Sequence, residues 1–183
     1  MKLKYTLPIL LLISTCTQAT MFAGDILGRD LTLKYPIGGV AQVGHVGVWN
    51  GQQVVEVLNE FPAIKFNSFA NFINRYPSYF WGARGNARFN NSNNINGLAN
   101  NQSQYYPSYT LIPIFTQVGK MDFRCANYSI GGSCSKYEYV PIQAVFRCDT
   151  FVNFLYYNTG NGNLADYNVI APRMVYVSRP IQR

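Results

Sequence analysis

Residues 40–58, VAQVGHVGVWNGQQVVEVL, constrain the fold more than any other segment of the chain. Two runs rich in β-branched residues flank Asn50-Gly51, the dipeptide preferred at the centre of a two-residue type I′ turn. The segment therefore predicts an antiparallel hairpin. With Asn50 and Gly51 as the turn, His45 on the first strand faces Glu56 on the second.

This register places the only histidine of the chain beside a carboxylate. Side chains that face each other across a hairpin share one face of the sheet. A neighbouring Glu fixes the tautomer of an imidazole and supports its charged form. Gly44 and Gly47 leave the strand around His45 open, as the approach of a substrate requires. A half-buried histidine that pairs with Glu56 for structural reasons alone is the alternative.

The N-terminus has the pattern of a secretory signal peptide over residues 1–19, with cleavage after Ala19. Its apolar run is shorter than the roughly 20 residues that a membrane span needs. We therefore expect a single exported domain over residues 20–183, secreted or periplasmic, with no transmembrane segment. A lipid anchor at Cys16 is disfavoured, because residues 13–15 match a lipoprotein site poorly.

Three cysteines remain after such a cleavage. Cys125 and Cys134 flank a short loop that contains Gly131-Gly132, and export places them in an oxidising compartment, so we expect them to form a disulfide. The thiol of Cys148 is then free. The absence of any CxxC pair excludes a zinc ribbon and a thioredoxin-type site.

Cys148 opens a predicted helix that ends near Asn158 and follows Arg147 directly. Helix-terminal N–H groups and a neighbouring cation both lower the pKa of a thiol, which predicts a thiolate at neutral pH. A buried structural cysteine is the alternative. Together, Cys148, His45 and Glu56 supply a nucleophile, a base and a group that orients the base.

Local patterns place the other elements. Short strands are predicted at residues 24–31 and 79–84, and Ser68 can cap a helix. Residues 86–104 contain eight Asn without apolar periodicity, which predicts a long surface loop. The tail, residues 169–181, is predicted to be extended.

Charge and motifs argue against several classes of partner. The formal net charge is +7, but the Lys and Arg residues are scattered and form no basic run. With no helix-turn-helix or RNA-binding aromatic signature, nucleic acid is not an expected partner. Gly119-Lys120 lacks the rest of a phosphate-binding loop, and we expect no cofactor or metal.

Three segments resemble, in order, the circularly permuted NlpC-type hydrolases of the YiiX-like branch. They are GDIL at 24–27, GHVGVWNGQQVVEV at 44–57 and RCDTFVNFLYY at 147–157. The family consists of papain-like thiol enzymes in which the hairpin with the histidine precedes the helix with the cysteine. The resemblance implies an α+β, papain-like fold, in which a small antiparallel sheet packs against the cysteine-bearing helix.

The resemblance also implies a function. Cys148 would be the nucleophile, His45 the base and Glu56 the orienting residue of a secreted cysteine hydrolase, a peptidase or amidase. It would cleave an amide or ester bond in peptidoglycan peptides or lipid-like substrates through a thioester intermediate. The same thioester could pass its acyl group to an acceptor other than water. The chain departs from the family at Asp149, where a small residue is common, and this carboxylate opposes thiolate formation.

A non-catalytic secreted binding protein on the same scaffold is the alternative function. The chain contains 14 Tyr and 12 Phe, which with the Asn-rich segment could form an adhesive or glycan-binding surface. Bulky side chains over Cys148, together with Tyr residues crowded on another exposed face, would favour binding. The sequence does not indicate the oligomeric state.

Overall fold

The computed structural model describes residues 20–31, 44–75, 80–85, 94–112, 116–164 and 171–182. The predicted signal peptide, residues 1–19, lies outside the described residues. The fold is mixed α and β with an antiparallel sheet and few helices. Within the described ranges, no helix has the length and apolar character needed to cross a membrane.

Ten strands are described. In chain order they are β1 (Ile26–Asp30), β2 (Gly44–Trp49), β3 (Val54–Val57), β4 (Ile64–Asn67), β5 (Phe80–Gly85), β6 (Ser108–Tyr109), β7 (Lys120–Tyr128), β8 (Cys134–Ile142), β9 (Val145–Phe146) and β10 (Ile181–Gln182). Six of them form the main antiparallel sheet, in the order β10-β5-β1-β2-β3-β4. Strands β1 and β5 match the predicted strands at 24–31 and 79–84 to within about two residues.

The helices are α1 (Phe69–Asn74), α2 (Asn94–Ser103), α3 (Cys148–Asn158) and α4 (Pro172–Val177). Helix α3 begins at Cys148, as predicted, and ends before Gly160, whose φ is 78°. Helix α1 is capped by Ser68, whose Oγ accepts the N–H of Asn71 at 3.1 Å. Both predicted helices are therefore confirmed.

The two faces of the main sheet are covered differently. Helices α2, α3 and α4 cover the face that bears Val46, Val48, Val55 and Val57. Helix α1 covers the other face, where Phe72 packs with Leu27, Val54 and Ala83. Since side chains alternate along a strand, His45 and Glu56 project from this second face.

Two small sheets lie outside the main one. Strands β6 and β9 pair in parallel, with Tyr109 next to Phe146, two residues before Cys148. Strands β7 and β8 pair only with each other in a long antiparallel ribbon, which we call the β7–β8 ribbon. The predicted disulfide between Cys125 and Cys134 is confirmed and cross-links this ribbon.

The β2–β3 hairpin is present, but its predicted turn is wrong. The Asn50 N–H donates to Gln53 O, and Asn50 Oδ1 accepts the N–H groups of Gln52 and Gln53 at 2.9 and 2.7 Å. Asn50 therefore closes the turn and does not occupy its centre. Gly51, with φ of 105°, takes the first central position, so the turn is centred one residue later than predicted.

The predicted surface loop over residues 86–104 is wrong for its second half. Residues 94–103 form α2, whose Ile95, Ala99 and Gln102 are buried at helical spacing. Ile95 and Ala99 join the core, and the Gln102 side chain accepts the N–H of Gly119 at 2.7 Å. A narrow apolar stripe is enough to dock a helix that is otherwise polar. Residues 86–93 lie outside the described residues.

The predicted extended tail is wrong over residues 172–177, which form α4. Pro172 occupies the first turn, where a missing N–H does no harm, and Val175 and Tyr176 are buried. The Tyr176 hydroxyl donates to Trp81 O, so this short helix is tied to β5. Tertiary packing thus overrides the weak local pattern of the tail.

Candidate functional site

His45 and Glu56 meet across the β2–β3 hairpin, although they are not register partners. Because the turn is displaced, Glu56 pairs with Gly47, and the predicted pairing of His45 with Glu56 is wrong. A two-residue slip keeps both side chains on the same face. The two are diagonal neighbours, within reach of long side chains, and His45 Nε2 lies 2.6 Å from Glu56 Oε2.

Both members of this pair are buried, with Glu56 fully enclosed and His45 almost so. Burial lowers the pKa of His45, more than the nearby Glu56 raises it. Burial opposes the charge on Glu56, yet its hydrogen bonds to His45 and Asn67 hold its pKa below the ordinary range. The pair is therefore a neutral imidazole that donates its Nε2–H to an ionised carboxylate. Nδ1 is the nitrogen left to accept a proton.

A cation and an aromatic ring border the pair. Arg29 on β1 is the register partner of His45, so the two side chains share a face. The Arg29 guanidinium lies 5.1 Å from the centre of the Phe72 ring, and the imidazole lies 5.8 Å from the same ring. The positive charge of Arg29 helps to lower the pKa of both His45 and Glu56.

Cys148 lies at the first residue of α3, against the end of the β2–β3 ladder. The paired residues run from Trp49 with Val54 to Gly47 with Glu56, and the ladder stops there. Beyond that point the backbone N–H of Val46 contacts the Cys148 sulfur. The nitrogen of Val46 is bonded to the carbonyl carbon of His45, so the thiol lies beside the peptide that follows the histidine.

The expected thiolate at Cys148 is contradicted. The side chain is 2% exposed, and burial, with the nearby Asp149 carboxylate, raises the pKa of the thiol from its ordinary value near 9 to about 12. Arg147 lowers the pKa of the thiol only slightly, because its guanidinium forms a two-pronged ion pair with Asp149. The contacts with the N–H groups of Val46 and Asp149 act in the other direction but are outweighed. The resting thiol is neutral.

The two glycines beside His45 serve packing and do not open the strand to a substrate. A Cβ on Gly44 would lie 2.2 Å from the Trp81 ring. A Cβ on Gly47 would lie 2.6 Å from a methyl of Val54 and 3.2 Å from Glu56 Cβ. The expectation of free space around His45 is therefore wrong, and Gly47 allows the close approach that holds Glu56 in place.

Two residues of this site were missed by sequence reasoning. The Asn67 Nδ2 donates to Glu56 Oε1 at 2.6 Å. Tyr109, half-buried on β6, lies near Cys148 and Asp149; burial, and the charges these two groups carry at the high pH where Tyr109 titrates, raise its pKa. A strand pattern that continues into the Ser68 cap could have pointed to Asn67, but no local signal marks Tyr109, which arrives by the parallel pairing of β6 with β9.

Other chemistry at the site is limited. Cys148 is the one free cysteine of the described residues, since Cys125 and Cys134 are bonded to each other. Among the described side chains, no group of three His, Cys, Asp or Glu could hold a metal ion.

Comparison of the chain with protein-family models, with curated proteins and with solved structures finds no match. The resemblance to permuted NlpC-type hydrolases therefore stays a sequence-based prediction, as does the papain-like topology. The function has to be argued from the residues of the site.

Proposed function

We propose that the protein is an exported thiol hydrolase in which Cys148 attacks the carbonyl of an amide or ester, His45 takes the thiol proton and Glu56 orients the imidazole. The observation that carries this proposal is the buried 2.6 Å contact between His45 Nε2 and Glu56 Oε2. A histidine whose Nε2–H is held by a carboxylate keeps its other nitrogen, Nδ1, unprotonated and is prepared to act as a base. The free thiol lies beside the next peptide.

The thiol and the imidazole belong to opposite faces of the main sheet. Helix α3 packs on one face of the sheet, whereas the imidazole projects from the other. The ladder stops at the pair of Gly47 and Glu56, and the Cys148 sulfur contacts the N–H that continues the edge of β2. The proposal therefore requires the Cys148 sulfur to approach Nδ1 of His45 past the end of this ladder.

The reaction starts from a neutral thiol and a neutral imidazole. As Cys148 Sγ forms a bond to the carbonyl carbon, its proton passes to Nδ1 of His45. The imidazolium gives this proton to the leaving amine or alcohol, and an acyl-thioester remains on the sulfur. Water, deprotonated by the same imidazole, then releases the acid and restores the thiol. An acceptor other than water would give acyl transfer.

Access to the sulfur is the main requirement on a substrate. Because Cys148 is 2% exposed, a carbonyl carbon reaches it only after a covering side chain moves. Tyr109 is the described side chain whose hydroxyl lies near both the thiol and Asp149, and it is half-buried. The resemblance favours cell-wall peptides or lipid-like amides and esters as substrates.

Turnover of p-nitrophenyl acetate and of a peptidoglycan stem-peptide amide tests the proposal. Cys148→Ala and His45→Ala should each abolish thiol-dependent turnover, and the double variant should be no worse, since parts of one unit are not additive. Glu56→Gln should keep some activity, because it retains an acceptor. Lys136→Ala, on the exposed ribbon, is the matched control and should be unaffected. Equal turnover by the Cys148→Ala protein would overturn the proposal.

A binding function is the second candidate, favoured by the β7–β8 ribbon. One face of this ribbon carries Phe123, Tyr137 and Tyr139, each more than half exposed. The centre of the Phe123 ring lies 4.7 Å from that of Tyr137 and 5.0 Å from that of Tyr139. An exposed aromatic row of this kind is typical of an interaction surface. Binding to purified peptidoglycan that is lost in Phe123→Ser/Tyr139→Ser but kept in Cys148→Ala would support it.

A further inference from the structure

The Glu56 carboxylate is held from both sides. It lies on β3, and each neighbouring strand sends one diagonal side chain to it. His45 on β2 meets Oε2, and Asn67 on β4 donates its Nδ2–H to Oε1, both at 2.6 Å. We propose that Asn67 is a positioning residue that fixes the Glu56 carboxylate and, through it, the tautomer of His45. This inference deepens the proposed hydrolase function and rests on it.

The backbone around Asn67 makes this donor rigid. Asn67 is the last residue of β4, where it pairs with Val54, two residues before Glu56 on the same face. The next residue, Ser68, caps α1 through its hydroxyl. The end of a strand and the start of a helix thus fix one peptide between them. The Asn67 amide is thereby held where its Nδ2 donates to Glu56 Oε1.

The amide has a defined task because the carboxylate is buried. Both oxygens of an ionised carboxylate need donors when water is excluded. With Oε1 bound to Asn67, Oε2 is directed at the imidazole, and the carboxylate cannot rotate to exchange its oxygens. His45 then keeps its proton on Nε2, and Nδ1 stays free to accept the proton of the thiol.

Several other charged groups surround the pair, and the test must separate Asn67 from them. Arg29 on β1 is the register partner of His45, and Lys65 on β4 is the register partner of Glu56. Arg75, which follows α1, also acts on His45. None of these groups changes in a variant of Asn67 alone, so a change in His45 reports the loss of the amide.

The single histidine makes the test direct. In protein labelled with ¹⁵N-histidine, the imidazole shifts give the fractions of the Nε2–H and Nδ1–H tautomers of His45. We expect nearly all Nε2–H in the full chain at pH 8. Asn67→Leu, which removes the donor at similar size, should raise Nδ1–H to a comparable share. Ester turnover should fall about tenfold, the size of one hydrogen bond to a charged group.

Gln53→Leu is the matched control. It removes another amide that bonds to β4, from Gln53 Nε2 to Phe66 O at 3.3 Å, without touching Glu56. It should leave the tautomer fractions unchanged. If Asn67→Leu does not fold, as judged by circular dichroism, Asn67→Ala gives the same measurement with a smaller side chain.

The tautomer of His45 tests the positioning role of Asn67 independently of whether the protein shows catalytic turnover. Unchanged Nε2–H in the Asn67 variant, or a wild-type protein that is mainly Nδ1–H, overturns the positioning role, and a loss of turnover would then reflect packing alone. A shifted tautomer in a protein with no thiol-dependent turnover supports the positioning role and refutes the proposed hydrolase. The two failures are therefore distinguishable.

Discussion

The molecule contains two antiparallel hairpins that are stabilised in opposite ways. In the β2–β3 hairpin nearly every side chain is buried, including the polar pair of His45 and Glu56. In the β7–β8 ribbon most side chains are exposed on both faces, and Ile130 at the tip is fully exposed. Sheet packing fixes the first hairpin, whereas a disulfide closes the second.

This difference determines which substitutions each hairpin tolerates. An isolated two-stranded hairpin is at best marginally stable in water, so a ribbon with little burial needs a covalent cross-link. The buried hairpin needs none, but it tolerates no extra atom and no unpaired polar group. The side chains of the β2–β3 hairpin therefore have fixed positions, whereas the β7–β8 ribbon exposes its aromatic side chains to solvent.

The largest expected effect is an alkaline loss of stability that begins with the buried thiol, with Tyr109 and Tyr156 adding to it above pH 10 in both the wild type and Cys148→Ala. An unfolded Cys148 ionises near pH 9, but burial raises its pKa to about 12 in the fold. Stability that is fully present below pH 9 is therefore lost between these values, at about 1.4 kcal/mol per pH unit. Urea unfolding of the wild type should show this slope and Cys148→Ala should show less of it. The bonded cysteines of the ribbon contribute none. Equal slopes would mean that the thiol is not buried.

The next effect comes from removing the Cys125–Cys134 disulfide, which should change the stability of one hairpin and not of the other. Cys125→Ser/Cys134→Ser should destabilise the β7–β8 ribbon by about 2.5–3 kcal/mol in the chain-entropy model. Amide hydrogen exchange should speed up over residues 120–142 and stay unchanged over residues 44–57. Ester turnover should also persist. Faster exchange in both regions would show that the ribbon supports the core.

The smallest effect compares one added methyl group in each hairpin. Gly47→Ala places Cβ within 2.6 Å of a Val54 methyl, which should destabilise the fold by about 2 kcal/mol through overpacking. Gly131→Ala at the ribbon tip meets nothing within 4 Å and should change little. Thermal unfolding of the two variants checks this. A tolerated Gly47→Ala would mean that β3 can shift away from β2.

Sequence reasoning predicted those features that depend on neighbouring residues. The β2–β3 hairpin, the Ser68 cap, the start of α3 at Cys148 and the disulfide are all local signals, and all are confirmed, although the turn of the hairpin lies one residue later than predicted. The common face of His45 and Glu56 also survives, because the period of a strand is two residues and the register slipped by two.

The errors arose where a side chain or a distant element decides the structure. The side-chain oxygen of Asn50 accepts the N–H of Gln53 and so moves the turn by one residue, which composition alone does not reveal. Helix α2 forms in an Asn-rich segment because Ile95 and Ala99 find a core to join. The Cys148 thiolate was predicted from the helix N-terminus and from Arg147, but burial of the thiol and the carboxylate of Asp149, which pairs with Arg147, outweigh both. Asn67 and Tyr109 reach the site through strand pairing at a distance.

The central claim is that Cys148 and His45 act as one unit, and the pH dependence of alkylation by iodoacetamide tests it most directly. A thiol coupled to a base reacts through a small thiolate–imidazolium fraction that is constant between the two pKa values. We predict an acid limb below pH 6.5, where His45 becomes protonated, then a plateau, and a second rise only as the thiol itself ionises towards pH 12. In His45→Gln the rate should instead rise about tenfold per pH unit over this range, as for a lone thiol. Peptide mass mapping assigns the label to Cys148. The same rising profile in both proteins would contradict the account, and Cys148 would then be a buried structural cysteine.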